Sequence, residues 1–158
     1  MAWVASLVVL GLFYLYFESS LQARYNPNRE LRIAPGTELV LKRGRDGHYV
    51  FPGTINGRPV VFLLDTGATL VSVPAHLADA LGLVAGARQR ALTANGSVVT
   101  RATRIDALAF GPFRLRDVPA SLNPGMGGDQ VLLGMSALTR LEFTQRGDTL
   151  LLRVAGSE

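Results

Sequence analysis

The 158-residue chain reads as a mostly β protein: one compact, largely antiparallel domain with one or two short helices, behind an apolar N-terminal helix. Three observations predict this. Short β-rich runs alternate with two-residue turn signals, above all Asn56-Gly57 and Asn95-Gly96, the pairs that favour tight hairpins. Most strands have no helical segment between them, which excludes a doubly wound α/β fold with its crossover helices. Residues 1–17 carry no charged side chain at all.

As a helix, residues 1–17 extend about 25 Å at 1.5 Å per residue, just enough for a thin bilayer core. Trp3, Tyr14 and Tyr16 lie near its two ends, where amphipathic rings favour the interface. A cleaved signal peptide wants a basic start, a shorter apolar core and a small-x-small site, and none of these is clear. Residues 1–17 are therefore expected to be a transmembrane anchor, with the membrane held through residues 2–17. Residues 18–47 are interrupted by Pro27, Pro35, Gly36, Gly44 and Gly47 and read as a tether carrying a short strand at Glu38–Lys42.

The domain proper is expected over 48–158. Strands at 49–55 and 59–64 flank Asn56-Gly57. The second holds five consecutive apolar residues, so burial on both faces is expected. A strand at 70–73 leads to Pro74, which can open a helix with Leu77, Ala78 and Leu81 on one face and Gly82 at its end. Strands at 88–94 and 97–110 flank Asn95-Gly96, and Gly111-Pro112 turns the chain into 113–122. A Gly-rich loop at 123–129 precedes an apolar run at 131–133 that stops at Gly134. One helical turn at 136–140 and a last hairpin, 141–145 with 149–154, close the domain.

Composition narrows the function. Hydrophobic residues at 48% and charged residues at 18% exclude a disordered chain. The absence of Cys excludes a disulfide scaffold, a thiol nucleophile and a thiolate-held metal. With only His48 and His76, a His-rich metal site is not expected. The formal charge of +4 divides evenly, +2 over residues 18–47 and +2 over 48–158, without a basic block or aromatic stacking motif. No nucleic-acid partner is implied. The 123–129 loop lacks the Lys-Ser/Thr sequel of a phosphate cradle.

The chemistry points to Asp65. An acid at the end of an apolar strand costs several kcal/mol to bury unless it is partnered, and such groups mark candidate sites. It opens the run Asp65-Thr66-Gly67-Ala68-Thr69, in which Gly67 permits close backbone approach and Thr66 offers a hydroxyl to lock the loop. The bland alternative is an Asx turn in which Asp65 only caps backbone N–H groups. His76 reads as a solvated helix residue, and Met126 and Met135 as packing or loop residues.

Asp65-Thr66-Gly67-Ala68 resembles the active-site motif of retropepsin-like aspartic proteases. Leu132-Leu133-Gly134, two apolar residues and a glycine before a short helix, is similar to that family's second motif. The hairpin around Thr93, Ala94, Asn95 and Gly96 stands where the family has its flap, though it is less Gly-rich than the viral flap. The order of hairpin, Asp-Thr-Gly-Ala, flap, second motif, helix and closing strand covers residues 48–154 and is nearest to the bacterial membrane-anchored branch. The resemblance implies a closed antiparallel β domain and an aspartic endopeptidase that needs no cofactor or metal. It makes Asp65 catalytic, with Thr66, Gly67 and Ala68 as active-site loop and dimer support. A Ser at the position of Ala68 in some relatives favours the ionised carboxylate; its loss here points to a less acidic pH optimum.

Two carboxylates must share such a site, one ionised and one protonated. The chain holds one Asp-Thr-Gly, and Asp79, Asp106, Asp117, Asp129, Glu142, Asp148 and Glu158 lie elsewhere. A homodimer joining Asp65 to Asp65 of a second chain is the economical solution, with a protein or peptide as substrate. A non-catalytic binding or assembly module of the same fold is the alternative. A phosphoryl-acceptor aspartate is disfavoured because Gly67 stands where a second acid is usual. The basic residues after the apolar segment favour a cytoplasmic domain by the positive-inside rule. The resemblance favours the periplasmic side of a bacterial inner membrane, and that is the expectation retained.

Overall fold

The computed structural model describes residues 3, 7, 9–11, 13, 14, 26–34, 38–93 and 96–155. The described positions before residue 15 are helical and exposed, Trp3 at 85%. Among the described residues, no helix is long and apolar enough to cross a membrane. Most of the expected anchor lies outside the described residues.

Eleven strands follow: β1 Arg32–Ala34, β2 Glu38–Lys42, β3 Val50–Ile55, β4 Arg58–Leu64, β5 Val71–Pro74, β6 Arg88–Thr93, β7 Gly96–Phe110, β8 Phe113–Asn123, β9 Gln130–Leu133, β10 Leu141–Arg146 and β11 Thr149–Val154. A single-turn helix, α1, spans Met135–Leu138. Where a helix is expected after Pro74, the chain makes a 3-10 turn, Ala75–Leu77, and further turns that end at Gly82. Leu81 is buried there, so the apolar positions anchor the turns without needing a longer helix.

The β3–β4 hairpin turns on Asn56 at φ 49° and Gly57 at φ 78°. Two successive left-handed residues match the right-handed twist of the paired strands, which is why Asn-Gly serves here. Strand order in the larger sheet is β3-β4-β9-β5-β8-β7-β6, and β3 also pairs with β7 through Thr54↔Ala109 and Ile55↔Leu108. The sheet thus closes into a barrel with β6 hanging outside. The expected antiparallel pattern holds for most neighbours, but β4–β9 and β5–β8 run parallel. Those two pairings bring chain segments far apart in sequence to one end of the barrel.

The core is aromatic at its centre. Phe51, Phe62, Phe110 and Phe113 pack with centroids 5.3–5.9 Å apart in tilted and edge-on arrangements. Ile55, Ile105, Leu108, Val71 and Leu133 complete it, all at most 1% exposed. β4 departs from the expectation of burial on both faces. Val60 and Phe62 point inward, whereas Val61 is 37% exposed and Leu63 and Leu64 are half-buried. No second layer covers that outer face completely. Val61 instead lines an open groove of about 970 Å³ with Pro59, Leu77 and Leu81.

A smaller sheet, β1-β2-β11-β10, abuts the barrel. Its second strand lies in the segment expected to be a tether. Leu39 and Leu41 are fully buried, and β2 pairs with β11 from Leu39↔Leu152 to Lys42↔Thr149. Buried Asn28 reinforces the junction. Its Oδ1 accepts from Lys42 N at 2.6 Å, and its Nδ2 donates to the carbonyls of Lys42 and Val50, each at 2.9 Å. The folded body therefore begins well ahead of His48.

Candidate active site

β4 and β9 are parallel neighbours paired from Val61↔Gln130 to Leu64↔Leu133, so they end at the same level. Asp65 follows the first and Gly134 the second. Asp65 N donates to the Leu133 carbonyl at 3.2 Å, continuing the ladder one step into the loop. The two motifs expected from the sequence thus meet.

Gly134 is fixed by crowding. A Cβ there would lie 2.6 Å from the carbonyl oxygen of Ala68 and would also strike the carbonyl of Leu70. The bare backbone allows the next two N–H groups to hold the aspartate loop: Met135 N donates to Ala68 O at 2.8 Å and Ser136 N to Thr69 O at 3.0 Å. The Ser136 hydroxyl then joins three elements. Its Oγ accepts from Val71 N at 2.9 Å and donates to Pro119 O at 2.8 Å, tying α1 to β5 and β8. Ser136 escaped the sequence reading; its only signal was a hydroxyl two residues past the glycine.

Asp65 does form an Asx turn: its Oδ1 accepts from Gly67 N at 2.8 Å. Oδ2 makes no hydrogen bond among the described residues, so one carboxylate oxygen remains for chemistry. The side chain is half-buried, Thr66 and Gly67 are exposed, and Ala68 is half-buried. The loop is held from beneath and presented outward. A Cβ on Gly67 would sit 3.1 Å from Asp65 Oδ1, so its smallness protects the carboxylate's position.

Asp65 and Thr66 open on a cleft of about 380 Å³ bordered by His48, Tyr49, Phe143, Gln145 and Leu150. It is smaller than the groove beside Val61, which does not include Asp65. Asp65 borders the smaller of the two. Phe143 is 44% exposed beside the aspartate loop.

Three of the other acids are engaged away from this loop. Asp117 pairs with Arg104 at 2.9 Å, Asp129 with His76 at 2.9 Å, and Glu142 with Arg153 at 2.8 Å. His76 is exposed and links the 3-10 turn to the Gly-rich loop. Met126 accepts a 3.4 Å hydrogen bond from Ser72 Oγ, and Met135 packs on the core. In the expected flap, Thr93 pairs with Gly96 at the end of β6 and β7. Ala94 and Asn95 lie outside the described residues. Among the described residues, no group of three His, Asp or Glu is placed to hold a metal ion.

A closed β barrel whose aspartate loop is pinned by a glycine and the helix after it is the arrangement of one family of peptidases. The family described as gag-polyprotein putative aspartyl protease matches residues 51–140, and the chain belongs to the retropepsin-like aspartic proteases. In sequence it is 30% identical to an uncharacterized protein in the cobV 5′ region of a Sinorhizobium species, over 96% of this chain and 70% of that one. In structure it is similar to a retropepsin-like aspartic protease from Rickettsia conorii. The TM-score is 0.62 at 29% identity, covering 73% of this chain and 89% of the other.

Proposed function

We propose that the protein is an aspartic endopeptidase in which Asp65 of two identical chains forms the catalytic pair. The observation that carries this reading is the Asp65 carboxylate, held through Oδ1 by Gly67 N and free at Oδ2, on a loop presented at the surface. Like-charge proximity keeps one aspartate of such a pair protonated and the other ionised. The ionised Oδ2 takes a proton from a water as its oxygen attacks the peptide carbonyl. The protonated partner stabilises the resulting oxyanion and returns a proton to the leaving amine. Thr66 and Gly67 line the contact between the two loops. Exposed Phe143, beside the same loop, supplies apolar area to that contact.

The uncharged start of the chain supports a membrane tether, and the resemblance to bacterial anchored relatives supports the periplasmic side of an inner membrane. Alkaline-phosphatase and fluorescent-protein fusions at the C-terminus test that side. The catalytic assignment is tested with the full chain and an unbiased peptide library. Asp65→Asn is nearly isosteric and should abolish cleavage while leaving the far-ultraviolet circular dichroism unchanged. Cleavage near the wild-type rate would reject Asp65 as the catalytic group.

A further inference from the structure

The whole formal charge of the chain sits in one piece of it. Residues 80–105 contain Arg88, Arg90, Arg101 and Arg104 and no acid, leaving twelve basic and twelve acidic side chains in the remainder. Folded, β6 and β7 carry these four arginines against a single acid, Asp106.

Pairing sorts the arm's side chains by face. Arg88↔Arg101, Arg90↔Val99 and Leu92↔Ser97 are cross-strand partners and share one face. All six are exposed, with Leu92 at 92% and Val99 at 52%. The opposite face, with Gln89, Ala91, Val98 and Thr100, is partly or fully covered. Arg104 is neutralised by Asp117, but neither Arg88 nor Arg90 has a carboxylate within ion-pair distance among the described residues. β6 is also the last strand of its sheet, with a strand neighbour on one side only among the described residues.

From this we infer that the outer edge of β6 binds an extended acidic segment of the polypeptide substrate, an inference that rests on the peptidase reading above. An unpaired strand edge offers backbone N–H and C=O groups that another polypeptide strand satisfies. The hydrocarbon of a bilayer offers no such partners. The charge selects which polypeptide. A second copy of this chain would bring arginines against arginines, whereas an acidic segment brings attraction. Side chains on one face of a strand recur every second residue. A preferred segment running parallel to β6 therefore carries acids two apart, facing Arg88 and Arg90, and an apolar residue two further on, facing Leu92.

The test uses full-length protein carrying Asp65→Asn, so that a bound peptide is not consumed. Three fluorescein-labelled probes are compared by anisotropy at low and high salt: Thr-Glu-Thr-Glu-Thr-Leu-Thr, its Lys-for-Glu counterpart, and a shuffled peptide with adjacent glutamates. The first should bind best and weaken with salt. R88E/R90E should weaken it roughly tenfold or more and gain the Lys probe, and R88Q/R90Q should fall between. That exchange of partners is something a merely structural role would not produce. Equal binding of the acidic and basic probes, or unchanged binding by R88E/R90E, would overturn the proposal. So would a difference between wild type and variant confined to phosphatidylserine–phosphatidylcholine vesicles. With Asp65 intact, R88E/R90E should lose cleavage of acidic library peptides more than of neutral ones. If wild type cleaves nothing, the peptidase reading fails while the binding result stands on its own.

Discussion

Replacing Gly134 with Ala puts a methyl group against the carbonyls of Ala68 and Leu70, so the aspartate loop or α1 must move. The expected cost is about 1–3 kcal/mol, typical of an overpacked site, and activity should fall further than stability. Urea denaturation alongside peptide hydrolysis checks both; a variant with wild-type stability and rate would remove the pinning role. Ser136→Ala strands two backbone groups, Val71 N and Pro119 O, at about 1–3 kcal/mol. The same two measurements apply, and a loss below a few tenths of a kcal/mol would show that water replaces the hydroxyl. At this scale Asp65 and Gly134 were legible because a short motif fixes residue types at a turn. Ser136 was not, because its importance lies in three segments meeting at one hydroxyl, which no local pattern records.

The hairpins were legible as elements because their turns are chemically marked: Asn56-Gly57 permits two left-handed residues and little else does so as well. Which strands pair across the barrel was not legible. Apolar alternation says which face is inward but not which neighbour lies alongside, and so the parallel β4–β9 and β5–β8 pairings went unforeseen. β2 was read as a short strand, but its proline and glycine surroundings disguised its place in the core. That place has a practical outcome. A fragment of residues 48–158 lacks β2 and exposes the apolar surface that Leu39 and Leu41 cover, together with one edge of β11. It should be poorly folded and protease-sensitive, whereas residues 26–158 should give cooperative thermal unfolding. Equal melting of the two by circular dichroism would show that β2 is dispensable.

For the molecule as a whole, the proposed pairing of one aspartate loop from each of two chains makes activity a question of association. Full-length enzyme in detergent, diluted below its dissociation constant, should lose specific activity, with rate rising as the square of concentration. Chains held together in one bilayer meet at higher effective concentration and should lose less. An excess of Asp65→Asn chains should suppress wild-type activity, since a mixed pair holds one carboxylate. First-order activity from a monomer in sedimentation, without suppression, would require a second acid from within the chain. Asp117, Asp129 and Glu142 are already engaged by Arg104, His76 and Arg153.

The pairing of β2 with β11 also imposes an order in time. Leu41 sits opposite Leu150, so an early-made strand waits for the last one before its side chains are covered. At the usual pace of synthesis that wait is on the order of ten seconds. Over most of it the nascent chain already holds Asp65 but not the Met135 and Ser136 amides that clamp its loop. A chain released too early, without its final hairpin, leaves β2 paired with β1 alone. Completion of the last hairpin thus comes before the body around the aspartate loop is whole.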